Sequence, residues 1–277
     1  MLFRKRERFE RTDVPAPGPY TNTIGGVVLA VVAIALVLTV SCVADRVGKE
    51  ARLNDSTLGK QVSNQSYMTV TDDSYSISQD SFTKILLLTV SGDGELAKGA
   101  QLQSAHVLVI REHVPEEGED ESAASITAQM ANVGGDVKVT ASAGTSSSLA
   151  ELCASSGPAA CVTPLNAALN VKFSHVVVST EDVLACVAAL AGTDSGKLVD
   201  DSLDLVMKIR TDMTAAELVA LGNKISQLGG VEAIGTFDAP TKADTAQAED
   251  GSTYETGYQA VDKTWLCIML GTLVEGE

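Results

Sequence analysis

The chain is expected to fold as an α/β protein: a layered α-β-α domain with a mixed sheet, preceded by a single N-terminal transmembrane helix. Three observations predict this. Residues 24–44, "IGGVVLAVVAIALVLTVSCVA", form an uncharged run of 21 residues. Short apolar runs between residues 84 and 237 alternate with segments of helical periodicity, the order that builds a sheet with helices on its faces. The 277 residues are 45% hydrophobic and 20% charged, with aromatics at 4%. That is enough apolar material for a sizeable core made of Val, Leu, Ile and Ala.

At about 1.5 Å per residue the uncharged run reaches roughly 30 Å, the thickness of a bilayer's hydrocarbon core. Arg4, Lys5, Arg6, Arg8 and Arg11 precede it, and Arg46, Lys49 and Arg52 follow. This imbalance puts the N-terminus in the cytoplasm and the C-terminal domain outside the cell. Two other readings stay open. "CVA" before Asp45 has small residues where a signal peptidase needs them, and "TVSC" resembles a lipoprotein box with Thr39 in place of the usual aliphatic residue. The run exceeds the roughly 7–15 residues of a signal core, which favours a retained anchor. The chain then divides into a basic tail (1–23), the membrane helix (24–44), a stalk and leading strand region (45–82), the main domain (83–240), and a linker with a C-terminal helix (241–277).

Element by element, "SYMTVTDDSYSIS" (66–78) alternates polar and apolar residues and reads as a strand or hairpin with Asp72-Asp73 at the turn. "KILLLTV" (84–90) is a continuous apolar run, the mark of a strand buried on both faces, and "HVLVIREH" (106–113) is another. "EEGEDE" (116–121) is a solvated turn, lacking the Gly-centred alternation of a calcium loop. "AASITAQM" (123–130) returns antiparallel. Helices are expected around 147–153 and 159–169, then a strand at 173–179 and a helix at 181–191 capped by Thr180. "LDLVMKIRTDM" (203–213) reads as strand. In "TAAELVALGNKISQL" (214–228) Thr214 and Glu217 make a capping box, and Gly229-Gly230 end the helix. "VEAIGTF" (231–237) is a strand, 238–257 a polar linker, and 258–274 a last amphipathic helix holding the only Trp.

Charge and cysteines narrow the function. Without the tail, 15 Lys and Arg face 33 Asp and Glu, a net of −18. Nucleic acid is excluded as a partner, because backbone binding needs basic clusters. Cys153, Cys161, Cys186 and Cys267 lie in the exported part, where disulfides persist. Cys153 and Cys161 flank the short loop "ASSGPAA" and are the expected pair, with buried free thiols as the alternative. No CxxC is present, so a zinc site of that kind is not supported.

The order of elements resembles the LytR-CpsA-Psr proteins of bacterial envelopes. "KILLLTVSGD" is similar to their opening strand, "LQSAHVLVI" to their second and "AASITAQM" to their third. "SLAELCASSGPAACVTPLNAALNVKFSHVVVSTEDVLACVAALAG" resembles their helix, Gly-containing turn, helix, His-bearing strand and helix. "KIRTDMTAAELVALGNKI" resembles their late strand, Thr-Asp turn and helix. The likeness spans about 84–240 and includes the membrane topology. It implies a membrane-anchored phosphotransferase that moves glycopolymers from a polyprenyl pyrophosphate carrier to peptidoglycan with a divalent metal. Such chemistry needs forked Arg clamps and carboxylate-held metal around the pyrophosphate.

Those residues are missing. The family's Arg-Ser-Asp falls on Gln103-Ser104-Ala105, and its Pro-Arg-Asp near Thr127-Ala128-Gln129. The family's late Arg-rich stretch falls on "GTDSGKLVDDS". No catalytic residue is therefore expected at Gln103, Ala105, Ala128 or Gln129. No cofactor is expected, and Mg²⁺ only if the family chemistry survives. If charges have relocated, Arg111, Arg210, Asp93 and Asp136 are the candidates. Ser104 has no evident base, and "SGDG" and "VGG" are lone Gly turns. His106 and His113, seven apart on one strand, point to opposite faces and cannot share a metal. His175 is expected to pack or hydrogen-bond. Three readings result: a non-catalytic relative that binds a polyprenyl lipid or cell-wall polymer, an active enzyme with relocated charges, and a structural exodomain contacting a partner protein.

Overall fold

The structure is a computed structural model that describes residues 52–70, 72–91, 98–113, 125–141, 144–186 and 208–276. The uncharged run at 24–44, the acidic turn at 116–121 and Asp93 lie outside the described residues. Among the described residues no helix is long and apolar enough to cross a membrane.

The chain enters along an edge strand, where Asn54 N–H bonds the carbonyl of Met213 and Asp55 N–H that of Thr211. Helix α1 (Ser56–Ser63) starts there because the Asp55 carboxylate accepts from the N–H groups of Thr57 and Leu58. Strand β1 (Tyr75–Ile77) is shorter than expected and makes no hairpin with 66–70; its partner is the last strand of the chain. The Asp72 carboxylate does form the turn, accepting from Ser74 N–H. β2 (Ser81–Val90), β3 (Leu102–His113) and β4 (Ser125–Val133) follow as an antiparallel meander. β5 (Lys138–Thr140) and β6 (Ser146–Ser148) make a small hairpin leading into α2 (Leu149–Ser156), a 3₁₀ turn (Pro158–Cys161) and α3 (Val162–Leu169). β7 (His175–Ser179) pairs parallel to β2. The next helix begins at 183, and its cap is Asp182 rather than Thr180: the Asp182 carboxylate accepts from Leu184 and Ala185 N–H.

β8 (Ile209–Thr211) precedes α4 (Ala215–Gln227), where the Thr214–Glu217 capping box is present as read from the sequence. β9 (Gly235–Asp238) pairs parallel to β4. The expected linker is instead a hairpin of β10 (Thr241–Gln247) and β11 (Thr253–Val261). The expected last helix is likewise divided. Its first residues belong to β11, Asp262 caps a short α5 (Lys263–Met269), and Gly271, at φ 72°, turns the chain into β12 (Leu273–Glu275).

The main sheet has six strands in the order β8-β7-β2-β3-β4-β9 and mixes parallel with antiparallel pairs. Its two faces are both buried, which is why β2 and β3 read as unbroken apolar runs. Leu86, Leu88, Val107 and Val109 pack against α1, α2, α3 and α5 on one side. Ile85, Leu108 and Ile110 pack against Met213 and Ile225 on the other. The α-β-α layering follows directly from this division.

Candidate functional site

A cleft of about 450 Å³ opens where β3 begins and β4 and β9 end, a volume in the range of small-ligand sites. Gln103, Ser104, Ala105 and His106 come from β3, Asn132 to Asp136 from β4 and the turn after it, Asp238 and Ala239 from β9, and Thr241 and Gln259 from the hairpin. The hairpin is held there by Ala239 N–H on the Asn132 carbonyl and Gln259 N–H on the Asp136 carbonyl. An ion pair of Lys138 with Asp244 at 2.7 Å adds a further tie.

Register places three polar side chains in a row across the sheet. His106 pairs with Asn132, and Asn132 with Asp238. The Nδ1 of His106 is 2.9 Å from Asn132 Oδ1, and Asn132 Nδ2 donates to Asp238 Oδ1 at 3.0 Å. Ser104 stands two residues before His106 on the same face of β3, and no hydrogen bond joins them. Past Asn132 the chain turns through Gly134-Gly135-Asp136, closed by Val137 N–H on the Gly134 carbonyl. A Cβ on Gly134 would lie 2.5 Å from the Asp136 carboxylate, so only glycine lets that carboxylate fold back there.

Of the described residues expected to mark a site, Gln103, Ala105 and Asp136 meet at this cleft, and Ala128, Gln129, Arg111 and Arg210 do not line it. Ala105 belongs to the core face of β3, 1% exposed. Ala128 and Gln129 sit in the middle of β4, Ala128 buried and Gln129 packed over Gly235. The strand runs to Val133, so positions 127–129 lie within it, and the residues that follow it are Gly134, Gly135 and Asp136. Arg111 pairs with Asp80, which also bonds His113. Burial pushes the Asp80 carboxyl up, but hydrogen bonds from His113 and Arg111 and the Arg111 charge outweigh it and hold it below the usual range. Arg210 lies 3.5 Å from Asp55 in a buried pair. Neither arginine lines the cleft, so Arg111, Arg210 and Asp136 do not converge. The histidines 106 and 113 face different partners, in line with their spacing.

His175 is held by Asp212, whose carboxylate takes His175 Nδ1 at 3.0 Å and Val176 N–H at 2.7 Å. The hydrogen bond to Asp212 raises the His175 pKa above its ordinary value; burial opposes this, and the charges of Asp212 and Glu217 add to it. A raised folded-state pKa gives stability that is fully present below the unfolded value near ~6.5 and is lost as pH rises through the folded value. Denaturant unfolding of His175→Asn should lack this decline above about pH 6.5. Asp212→Ala should cost about 1.5–3 kcal/mol, since it removes the acceptor of a charged donor.

Cys153 and Cys161 are free and buried in this structure, not bridged. The Cys153 thiol donates to the carbonyl of Ala100 and the Cys161 thiol to that of Gly157; the neighbouring Cys153 thiol and burial push the Cys161 thiol up. Mass mapping of the non-reduced protein is expected to show them joined. Closing so short a loop adds roughly 2–3 kcal/mol. Two free thiols in that experiment would rule the bridge out.

No protein-family model matches the chain, and no curated protein matches it. Solved structures do match. Protein gbs0355 from Streptococcus agalactiae is 14% identical, with 71% of this chain and 90% of that one covered at a TM-score of 0.45. Bacillus subtilis TagV is 12% identical over 70% of this chain and 96% of its own, at 0.41. For B. subtilis TagT the figures are 11%, 75%, 98% and 0.39. TagT and TagV are LytR-CpsA-Psr proteins.

Proposed function

We propose that this chain is a membrane-anchored, extracellular LytR-CpsA-Psr-like envelope protein that binds a polyprenyl-linked or cell-wall glycopolymer ligand without transferring it. One observation carries the reading: the cleft where residues 103–105 and 136 meet is lined by two carboxylates and one histidine, and by no Arg or Lys among the described residues. A pyrophosphate brings several negative charges, and phosphoryl transfer depends on cations that neutralise them. Asp136 and Asp238 in a strongly acidic domain supply the opposite field. A cleft remains, and with it room for a ligand.

The test uses the full chain in nanodiscs, titrated with polyprenyl phosphate with and without Mg²⁺. Saturable binding that does not need Mg²⁺ supports the proposal; absence of binding in both conditions refutes it. The anchor is tested separately. Protease added to intact cells should remove the C-terminal domain and spare the tail, whereas a mature protein starting at or after Cys42 would refute a retained anchor. The alternative, a structural domain that contacts a partner protein, draws on four exposed apolar side chains, Val70, Ile77, Trp265 and Val274. Val70 lines a small cavity with Thr264, Tyr75 and Leu273, and exposed Trp265, Ile77 and Val274 lie within two residues of those.

A further inference from the structure

The cleft has an excess of acceptors, and their orientation is set by the sheet. A carboxylate only accepts, so Asn132 turns its Nδ2 to Asp238 and its Oδ1 to His106. An amide oxygen in turn only accepts, so the proton of a neutral His106 sits on Nδ1. Nε2 is left with its lone pair. Asp136, exposed on the turn beside it, makes no ion pair among the described residues, and Asp238 bonds only the neutral Asn132 amide. Gln103, Gln259, Ser104 and Thr241 complete the lining with groups that both donate and accept. Phosphate, which brings acceptors and negative charge, complements this lining less well than hydroxyl or ammonium groups do. Hydroxyl groups suit the amides and the His106 lone pair, and an ammonium group suits the two carboxylates.

We infer that the cleft takes a saccharide unit bearing a free amino group, with its hydroxyls on His106 Nε2 and the Gln side chains and its ammonium on Asp136 and Asp238. This deepens the binding function proposed above and rests on it for the location of the site, while polyprenyl-phosphate binding tests that function by itself.

The test uses the full chain in nanodiscs with ¹⁵N-labelled histidine. The chain has three histidines, so single substitutions assign the signals. The ligand-free protein should show His106 protonated at Nδ1. Glucosamine trimer should shift the His106 Nε2 resonance and bind about tenfold tighter than its N-acetylated counterpart, the effect of two partly exposed charge pairs. Added salt should shrink that preference. Asp136→Asn, on an exposed turn, should reduce it severalfold, and Asp238→Asn should also blur the tautomer at His106. Equal affinity for the two trimers, an unmoved His106 signal, or tighter binding of inorganic pyrophosphate would each overturn the inference. A chain that binds polyprenyl phosphate but neither trimer overturns it while leaving the broader function standing.

Discussion

Given a polyprenyl pyrophosphate-linked glycopolymer and Mg²⁺ or Mn²⁺, the full chain is expected to show no transfer above background. Loss of one positioned donor costs roughly 10²–10³ in rate, and the positions where the resemblance places the clamp and a metal carboxylate carry no charge at 103, 105, 128 and 129, a combined loss that does not simply add. Gln103 and Ala128 stand where the resemblance places Arg, and Ala105 and Gln129 where it places Asp. The side chain of Ala105 is turned into the core. Gly135→Arg alone should restore nothing, because positions 103 and 105 would still be uncharged. Ala128→Arg should restore nothing for a different reason: it would bury a guanidinium in mid-strand, away from the cleft. Turnover comparable to an intact relative, abolished by Arg111→Ala or Arg210→Ala, would show that the active charges had moved. Arg111 and Arg210 are engaged with Asp80 and Asp55 respectively, which argues against that outcome.

Arg210→Leu is expected to destabilise the domain by about 3–5 kcal/mol, the usual cost of leaving one member of a buried ion pair behind. Arg210 and Asp55 have side chains only 10% and 8% exposed. Asp55 also caps α1, so the unpaired carboxylate would stay in place, tied to the N–H groups of Thr57 and Leu58. Asp55→Asn should cost less, because the amide oxygen keeps a cap while the negative charge is removed. The double variant Asp55→Asn/Arg210→Leu should be less destabilised than the sum of the singles, and urea unfolding of all three measures the coupling. Additive effects would mean that the two side chains do not interact.

Much of the domain was legible because its signals are local. The runs at 84–90 and 106–113 declared strands buried on both faces, and Thr214 with Glu217 declared a helix start, from a few adjacent residues each. The β10–β11 hairpin also carries a local signal. Asp250-Gly251 sits at its turn, with Gly251 at φ 84°, and the residues on either side alternate. The segment reads as a linker because both faces of the hairpin are largely polar, so the burial signal that marks other strands is weak. The last helix was overextended for the converse reason: 258–261 carries apolar residues compatible with helix, yet pairs with β10 as a strand.

What the sequence determined by itself is the acidity of the domain, the absence of Arg from the cleft-forming segments, the α/β class and the helix starts. The tertiary structure alone decided which polar residues meet. His106 and Asn132 are 26 residues apart, and Asn132 and Asp238 are 106 apart. Their meeting depends on strand register, and a shift of one residue would send each side chain to the opposite face. It also decided that Gly134, Gly135 and Asp136 follow the third strand, because the strand ends where its pairing with β3 ends, at Val133 opposite Ala105. Pairing of this kind is a property of two distant segments brought together by their shared core, and neither segment encodes it without the other.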